Sequence, residues 1–151
     1  MPKYWLVVGT PANYQITARL GWTVQGFKSR HARKAAAMRP GDILIYYLTQ
    51  LQVFAGTVRV TSPCFESHEP LWISEGRPTE DYPWRVKVAP EILLQPDGYL
   101  PAAKLAPQLA HVRKWPAANW TLAFQGNVHL LPEEDGRFLE DRIRQAAGSH
   151  S

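Results

Sequence analysis

The chain has 151 residues, of which 17 are Lys or Arg and 13 Asp or Glu, giving a formal charge of +4 and a pI near 9.4; 45% of it is hydrophobic. That length predicts a single domain over 1–151, with a core over about 3–145, and the composition excludes a disordered chain. One cysteine, Cys64, excludes an intramolecular disulfide and a cysteine-rich zinc site, and no apolar run approaches the roughly 20 residues of a membrane span.

The start, MPKYWLVVG, runs directly into a β-branched and aromatic strand at Tyr4 to Val8, ended by Gly9-Thr10-Pro11. It lacks the pattern of a cleavable signal, and a cytoplasmic location is the expectation. Residues 12–27 show no clean period and predict a loop, with a short helix at Asn13 to Arg19. Lys28 to Met38 is alanine-rich and predicts a helix with Ser29 as its cap, stopped by Pro40-Gly41-Asp42 before the strand Ile43 to Leu48. Arg30, Arg33 and Lys34 cluster within about one turn of that helix, either as a phosphate grip or as an ordinary solvated face.

Val53 to Thr61 predicts the next strand, with Phe54, Gly56, Val58 and Val60 on one side, Arg59 on the other, and Gly56 marking a bulge or a close backbone approach. Ser62 to Asp81 is a long connection whose one apolar cluster is Leu71-Trp72-Ile73; connections of that length are commonly functional. Tyr82 to Val88 alternates, predicting Trp84, Val86 and Val88 inward and Arg85 and Lys87 outward. A short helix pair is expected over Leu100 to Leu109, strands at Trp120 to Gln125 and Val128 to Leu131, and a polar helix over Pro132 to Gln145 that docks Phe138, Leu139 and Ile143. Glu133, Glu134 and Asp135 at its start favour its dipole. Five or six strands with irregularly spaced short helices predict a mixed α/β, β-rich domain with a curled or barrel-like sheet, not a doubly wound one.

Six Trp and six Tyr are many for this length, and large aromatics suit half-exposed sites. Trp5, Trp84 and Trp120 lie in strand patterns and are expected in the core. Gly21 to Tyr47 brings a Trp-containing loop, a basic helix and a strand ending in Tyr46-Tyr47 into one local unit. Aromatic faces beside positive charge are what holding a base on its phosphate backbone requires. Catalytic patterns are lacking: His31, His68, His111, His129 and His150 show no metal-ligand spacing, and no GxSxG, Walker or GxGxxG motif occurs. Neither a metal nor a cofactor is expected, and the chain reads as a binding module.

YWLVV at Tyr4 to Val8, GWTVQG at Gly21 to Gly26, AAAMRPGDILIYYL at Ala35 to Leu48, FAGTVRVTS at Phe54 to Ser62 and YPWRVKV at Tyr82 to Val88 together resemble an EVE domain. That family belongs to the PUA-like superfamily, with the YTH, ASCH and SRA-type modified-base readers. The resemblance implies a curled β-barrel with a pocket for a flipped or single-stranded modified base. It implies Trp22 and Trp72 as aromatic walls, a tyrosine of Tyr46 and Tyr47 on the floor, and Val8, Gly9 and Thr10 bonding the base edge. Thr23 joins that site, and Phe27, Arg30 and His31 lie at its mouth. Partners would be DNA or RNA carrying a modified base, with Arg30, Arg33 and Lys34 on phosphate. Some ASCH relatives instead hydrolyse a modified nucleoside with a Lys, a Glu and a Thr; Lys28 and Thr10 or Thr23 are available, but Gly9 to Lys34 holds no carboxylate. A structural RNA- or protein-interaction module is the third alternative.

Overall fold

The computed structural model describes residues 2–74 and 81–149. Residues 75–80 of the long connection, and His150, lie outside the described residues. The strands are β1 (Tyr4–Gly9), β2 (Val24–Phe27), β3 (Ile43–Leu48), β4 (Val53–Val60), β5 (Phe65–Glu66), β6 (Trp84–Leu93), β7 (Leu100–Pro101) and β8 (Val128–Leu131). Helices are α1 (Pro11–Arg19), α2 (Ala32–Ala37), α3 (Ala102–Leu105), α4 (Ala110–Arg113) and α5 (Glu133–Ser149). Six strands form a curled half-barrel in the order β2-β6-β4-β3-β1-β8, with β5 added to β6 and β7 to β4. Only β1 and β3 run parallel among these pairs; the rest are antiparallel.

β1 and β3 are neighbouring interior strands covered on both faces, which is why their sequences are continuous apolar runs. Side chains alternate with period two. Tyr4, Leu6, Val8, Ile43, Ile45 and Tyr47 enter one core, under α5 and the 102–124 helical segment. Trp5, Val7, Leu44, Tyr46 and Leu48 enter the other, with Phe27, Met38, Val58 and Val86. α5 seats Leu139 and Ile143 in the first core, and Gly136 lets it lie against the Tyr4 ring, where any side chain would collide.

Several expectations are corrected. The predicted helix over 28–38 is a 3₁₀ turn at Ser29–His31 followed by α2, whose cap position is His31 rather than Ser29, and Met38 is already extended and buried. Trp120 to Gln125 is not a strand but the end of a run of 3₁₀ turns over Ala117–Phe124; its aromatics pack among themselves instead of pairing a neighbour, Trp120 edge-on to Phe124. The loop expected over 12–27 contains β2. β4 does not keep Phe54 and Val58 on one side: register shifts against β3 and β6 invert the alternation, and Phe54 joins the first core while Val58 and Val60 join the second. Gly56 lies there, with the Ile92 carbonyl occupying the space of a side chain. Arg85 faces inward, 2% exposed, for reasons that belong to the site. Asp135 is buried and accepts hydrogen bonds from the Ala110 and His111 N–H groups at 2.9 and 2.8 Å, so it caps α4 as well as opening α5.

The Pro40-Gly41-Asp42 turn is fastened by its aspartate. Gly41 has φ +99°, a left-handed conformation that suits glycine. Buried Asp42 accepts from the Lys3 N–H at 3.0 Å, the Trp5 indole Nε1–H at 3.0 Å and the Arg39 N–H at 3.1 Å, tying the turn to β1. Asp42→Ala orphans three donors, at about 1–3 kcal/mol for each one left buried. Of the three, the Trp5 bond is the buried one, so urea denaturation should show a loss of about 1–3 kcal/mol; an unchanged stability would contradict this role.

Candidate functional site

A cavity of about 190 Å³ opens beside the C-terminal ends of β1 and β3. Tyr46 lines it because strand parity turns Tyr46 toward the second core and Tyr47 toward the first, where Tyr47 stacks on Phe124 at 4.3 Å. The Tyr46 hydroxyl donates to Gln25 Oε1 at 2.8 Å, and Gln25 Nε2 donates to the Gly26 carbonyl at 2.9 Å, so the floor has a fixed orientation. Tyr14 of α1 meets Tyr46 edge to face, with centroids 5.2 Å apart. Its hydroxyl is buried. Burial lifts the Tyr14 phenol above its ordinary value, Tyr99 adding to this and a hydrogen bond from the Trp22 indole opposing it.

Trp72 forms a wall. Its indole lies over Gly26, which has no Cβ to obstruct it, and its Nε1–H donates to Thr17 Oγ1 at 2.9 Å. Asn13 binds the next residue twice: Nδ2 donates to the Ile73 carbonyl at 2.7 Å and Oδ1 accepts the Ile73 N–H at 2.9 Å. Behind the indole, the Arg85 guanidinium stands 5.1 Å from the ring centroid and donates to the Tyr82 carbonyl at 3.0 Å, Ser67 Oγ at 3.2 Å and the Glu69 carbonyl. A buried cation with this many carbonyl and hydroxyl acceptors and an aromatic face is satisfied, which is why the strand alternation of 82–88 misleads there. Tyr82 continues the wall, with Lys28 Nζ 5.7 Å from its ring centroid.

The end of β1 supplies the remaining side. Val8, Gly9 and Thr10 line the cavity, and Thr10 Oγ1 caps α1 by accepting the Asn13 N–H at 3.1 Å. Asn127 closes the rim: its carbonyl accepts the Val8 N–H at 2.9 Å and its Oδ1 the Lys28 N–H at 3.1 Å. The lining is thus aromatic, with uncharged polar groups and one lysine, and contains no carboxylate, histidine or cysteine. Such a slot accepts a flat heterocycle and offers it hydrogen bonds, but presents no obvious general acid–base pair.

A family model described as the EVE domain matches residues 3–124. The chain belongs to the EVE domain family. Similar relatives include UPF0310 proteins of Pyrococcus abyssi, 25% identical over 150 residues and covering 93% of this chain and 99% of the relative, and of Pyrococcus horikoshii, 24% identical over 147 residues and covering 91% and 96%. Among solved structures, the YTH domain-containing protein Mmi1 with RNA superposes with TM-score 0.67 at 12% identity, covering 98% of this chain and 86% of that one. Human THYN1 in complex with DNA containing 5-methylcytosine gives TM-score 0.60 at 16% identity, covering 93% and 97%. These likenesses establish a shared fold.

Within this EVE domain, Val8, Gly9, Thr10, Tyr46 and Trp72 come together around the cavity. Trp22 does not line it. With φ +52°, it sits behind Tyr14, ring centroids 6.1 Å apart, with its Nε1–H buried. Thr23 is exposed and donates to the Leu20 carbonyl at 2.7 Å, Phe27 is wholly buried in the second core, and Tyr47 belongs to the first. Asn13, Tyr14, Thr17, Gln25, Tyr82 and Asn127, all on the lining, are absent from the sequence expectations. Asn13 and Thr17 stand at i and i+4 on α1, a shared face readable from spacing, but β2 and Asn127 carry no comparable signal.

Arg30 and Arg33 are exposed, and Lys34 Nζ donates to the Val128 carbonyl at 3.0 Å. They surround His31, which is half-buried and pushed down to about 4 by burial and by the charges of Lys34, Arg30, His129 and Lys28. His111 and His129 are lowered too, burial first and with Lys34 and Lys114 contributing. An unfolded histidine titrates near 6.5, so below that pH the unfolded chain takes up protons that the folded one refuses. The contribution of His31 to stability is complete above about pH 6.5, declines as pH falls toward about 4, and is then flat. Melting temperature should fall from pH 7 to pH 4.5, with a shallower slope in His31→Gln; an unchanged slope would contradict this.

Proposed function

We propose that this EVE domain is a nucleic-acid reader that takes one modified nucleobase, from a single strand or flipped from a duplex, into the cavity between Trp72, Tyr46 and Tyr14. The observation that carries this reading is the Trp72 wall, held by three separate anchors over a cavity with a rigid tyrosine floor. Supporting it are the shared fold with Mmi1, seen with RNA, and with human THYN1, seen with 5-methylcytosine DNA. Val8, Gly9 and Thr10 would meet the base edge, Tyr14 would offer its ring and hydroxyl, and Trp22 would brace Tyr14 from behind. Arg30, Arg33 and Lys34 would hold phosphate at the mouth beside His31. A lining without carboxylates favours binding over hydrolysis.

Stacking one base on an aromatic side chain contributes about 1–3 kcal/mol. Burying a methyl group adds only about 0.8 kcal/mol, so preference for a methylated base should be modest, on the order of fourfold. Extrusion from a duplex costs a few kcal/mol, which favours single strands.

Titration with single-stranded DNA and RNA carrying one 5-methylcytosine, against plain cytosine controls, tests this. Trp72→Ala should weaken binding roughly five- to a hundredfold, while Trp72→Phe should retain part of it. Neutralising Arg33 and Lys34 together should flatten the slope of log affinity against log salt by about 1.4. Unchanged affinity in Trp72→Ala would overturn the proposal.

A further inference from the structure

A second cavity, of about 240 Å³, lies between α3, the 3₁₀ turn that follows it, α4 and the Ala117–Phe124 turns. Trp115 and Trp120 are its large surfaces, Pro107 and Val112 its apolar floor, and Arg113 its charged edge. Trp115 is 42% exposed, held at the end of α4 by its N–H to the Val112 carbonyl and followed by Pro116. The two cavities share no lining residue.

From Tyr99 to Pro132 the sequence contains no Asp or Glu, while Lys104, Arg113 and Lys114 are exposed. The acid that reaches this segment, Asp135, is buried and occupied by the Ala110 and His111 N–H groups. A run of contacts joins the two cavities around the β8 edge. Lys28, on the first, donates its N–H to Asn127 Oδ1, and Lys34 Nζ donates to the carbonyl of the next residue, Val128. The ring of His129, which follows on β8, is 5.0 Å from that of His111, two residues before Arg113 at the second cavity.

We propose that the Trp115–Trp120 groove is a second nucleic-acid contact, which stacks a nucleobase several nucleotides along the strand from the one read in the first pocket, with the intervening phosphates passing Lys28 and Lys34 toward Arg113 and Lys114. This rests on the base-reading function above. Two aromatic slots linked by cations match a polymer that alternates flat bases with anionic phosphates. An acidic peptide would satisfy the groove and Arg113 but leaves Lys28 and Lys34, toward the first cavity, unused.

Fluorescence anisotropy distinguishes the cases, using a trinucleotide and a twelve-nucleotide single strand, each with a central 5-methylcytosine, in DNA and RNA forms. Trp115→Ala should weaken the long strand at least about fivefold and leave the trinucleotide unchanged, and Trp115→Tyr should restore most of the loss. Arg113→Gln with Lys114→Gln should flatten the salt slope by about 1.4 for the long strand only. Unaltered long-strand binding in Trp115→Ala, or equal loss at both lengths, would overturn the inference. Displacement from Trp115 by an acidic apolar peptide, without long-strand dependence on Trp115, would overturn it in favour of a protein partner. If Trp72→Ala abolishes binding while Trp115→Ala does nothing, the pocket reading survives and the groove does not; if no strand binds the wild-type protein, both fall.

Discussion

The first cavity exists because Gly26 has no side chain where the Trp72 indole lies. A Cβ at that position would strike the six-membered ring of the indole and the Tyr82 carbonyl at once, and backbone cannot yield as the end of a flexible side chain can. Everything else on that wall follows from the overlap. Thr17 fixes the indole edge, Asn13 fixes the backbone one residue on, and Arg85 fills the space behind. A long connection, which by itself would carry its tryptophan on a loose loop, is thereby fastened to α1, β2 and β6.

The opposite side of the pocket depends on the alternation of β3. Since both faces of this strand are buried, each residue is committed to one of two cores, and Tyr46 and Tyr47 part company. Tyr46 is then locked by Gln25, a polar residue in the middle of β2 whose amide would be costly to bury if it bonded nothing. The interior polar groups of this region fix its geometry by bonding to one another, as Tyr46 does to Gln25 and Gln25 to the Gly26 carbonyl.

The central strands were legible because continuous β-branched and aromatic runs such as YWLVV and ILIYY have few other uses. The EVE resemblance was legible on the same runs and their glycine turns. What escaped did so for physical reasons. β2 is four residues long and contains a glutamine and a glycine, so it has no period to detect. Trp120 to Gln125 has strand composition, yet tertiary packing of its aromatics prevailed over local propensity. Arg85 breaks the rule that charges in an alternating strand face out, because beside the nearby Tyr82 carbonyl its partners come from the connection 67–72, beyond reach of any local pattern. Trp22 carried the sequence signal of an exposed loop aromatic, and the left-handed turn at Gly21 and Trp22 instead folds it back onto Tyr14.

Electrostatics divides the surface in the same sense. Burial first, and then the cations beside them, hold His31, His111 and His129 below the ordinary histidine range, and those cations, Lys34 among them, make this face electropositive. The most direct measurement of the central claim is the indole N–H spectrum during titration with a single strand bearing one 5-methylcytosine. Insertion of a base should shift the Trp72 Nε1–H resonance, which reports its bond to Thr17, while that of Trp5, bonded to Asp42 in the interior, stays in place. Saturable binding that moves amides around Arg30 and Lys34 yet leaves the Trp72 resonance unperturbed would contradict the account.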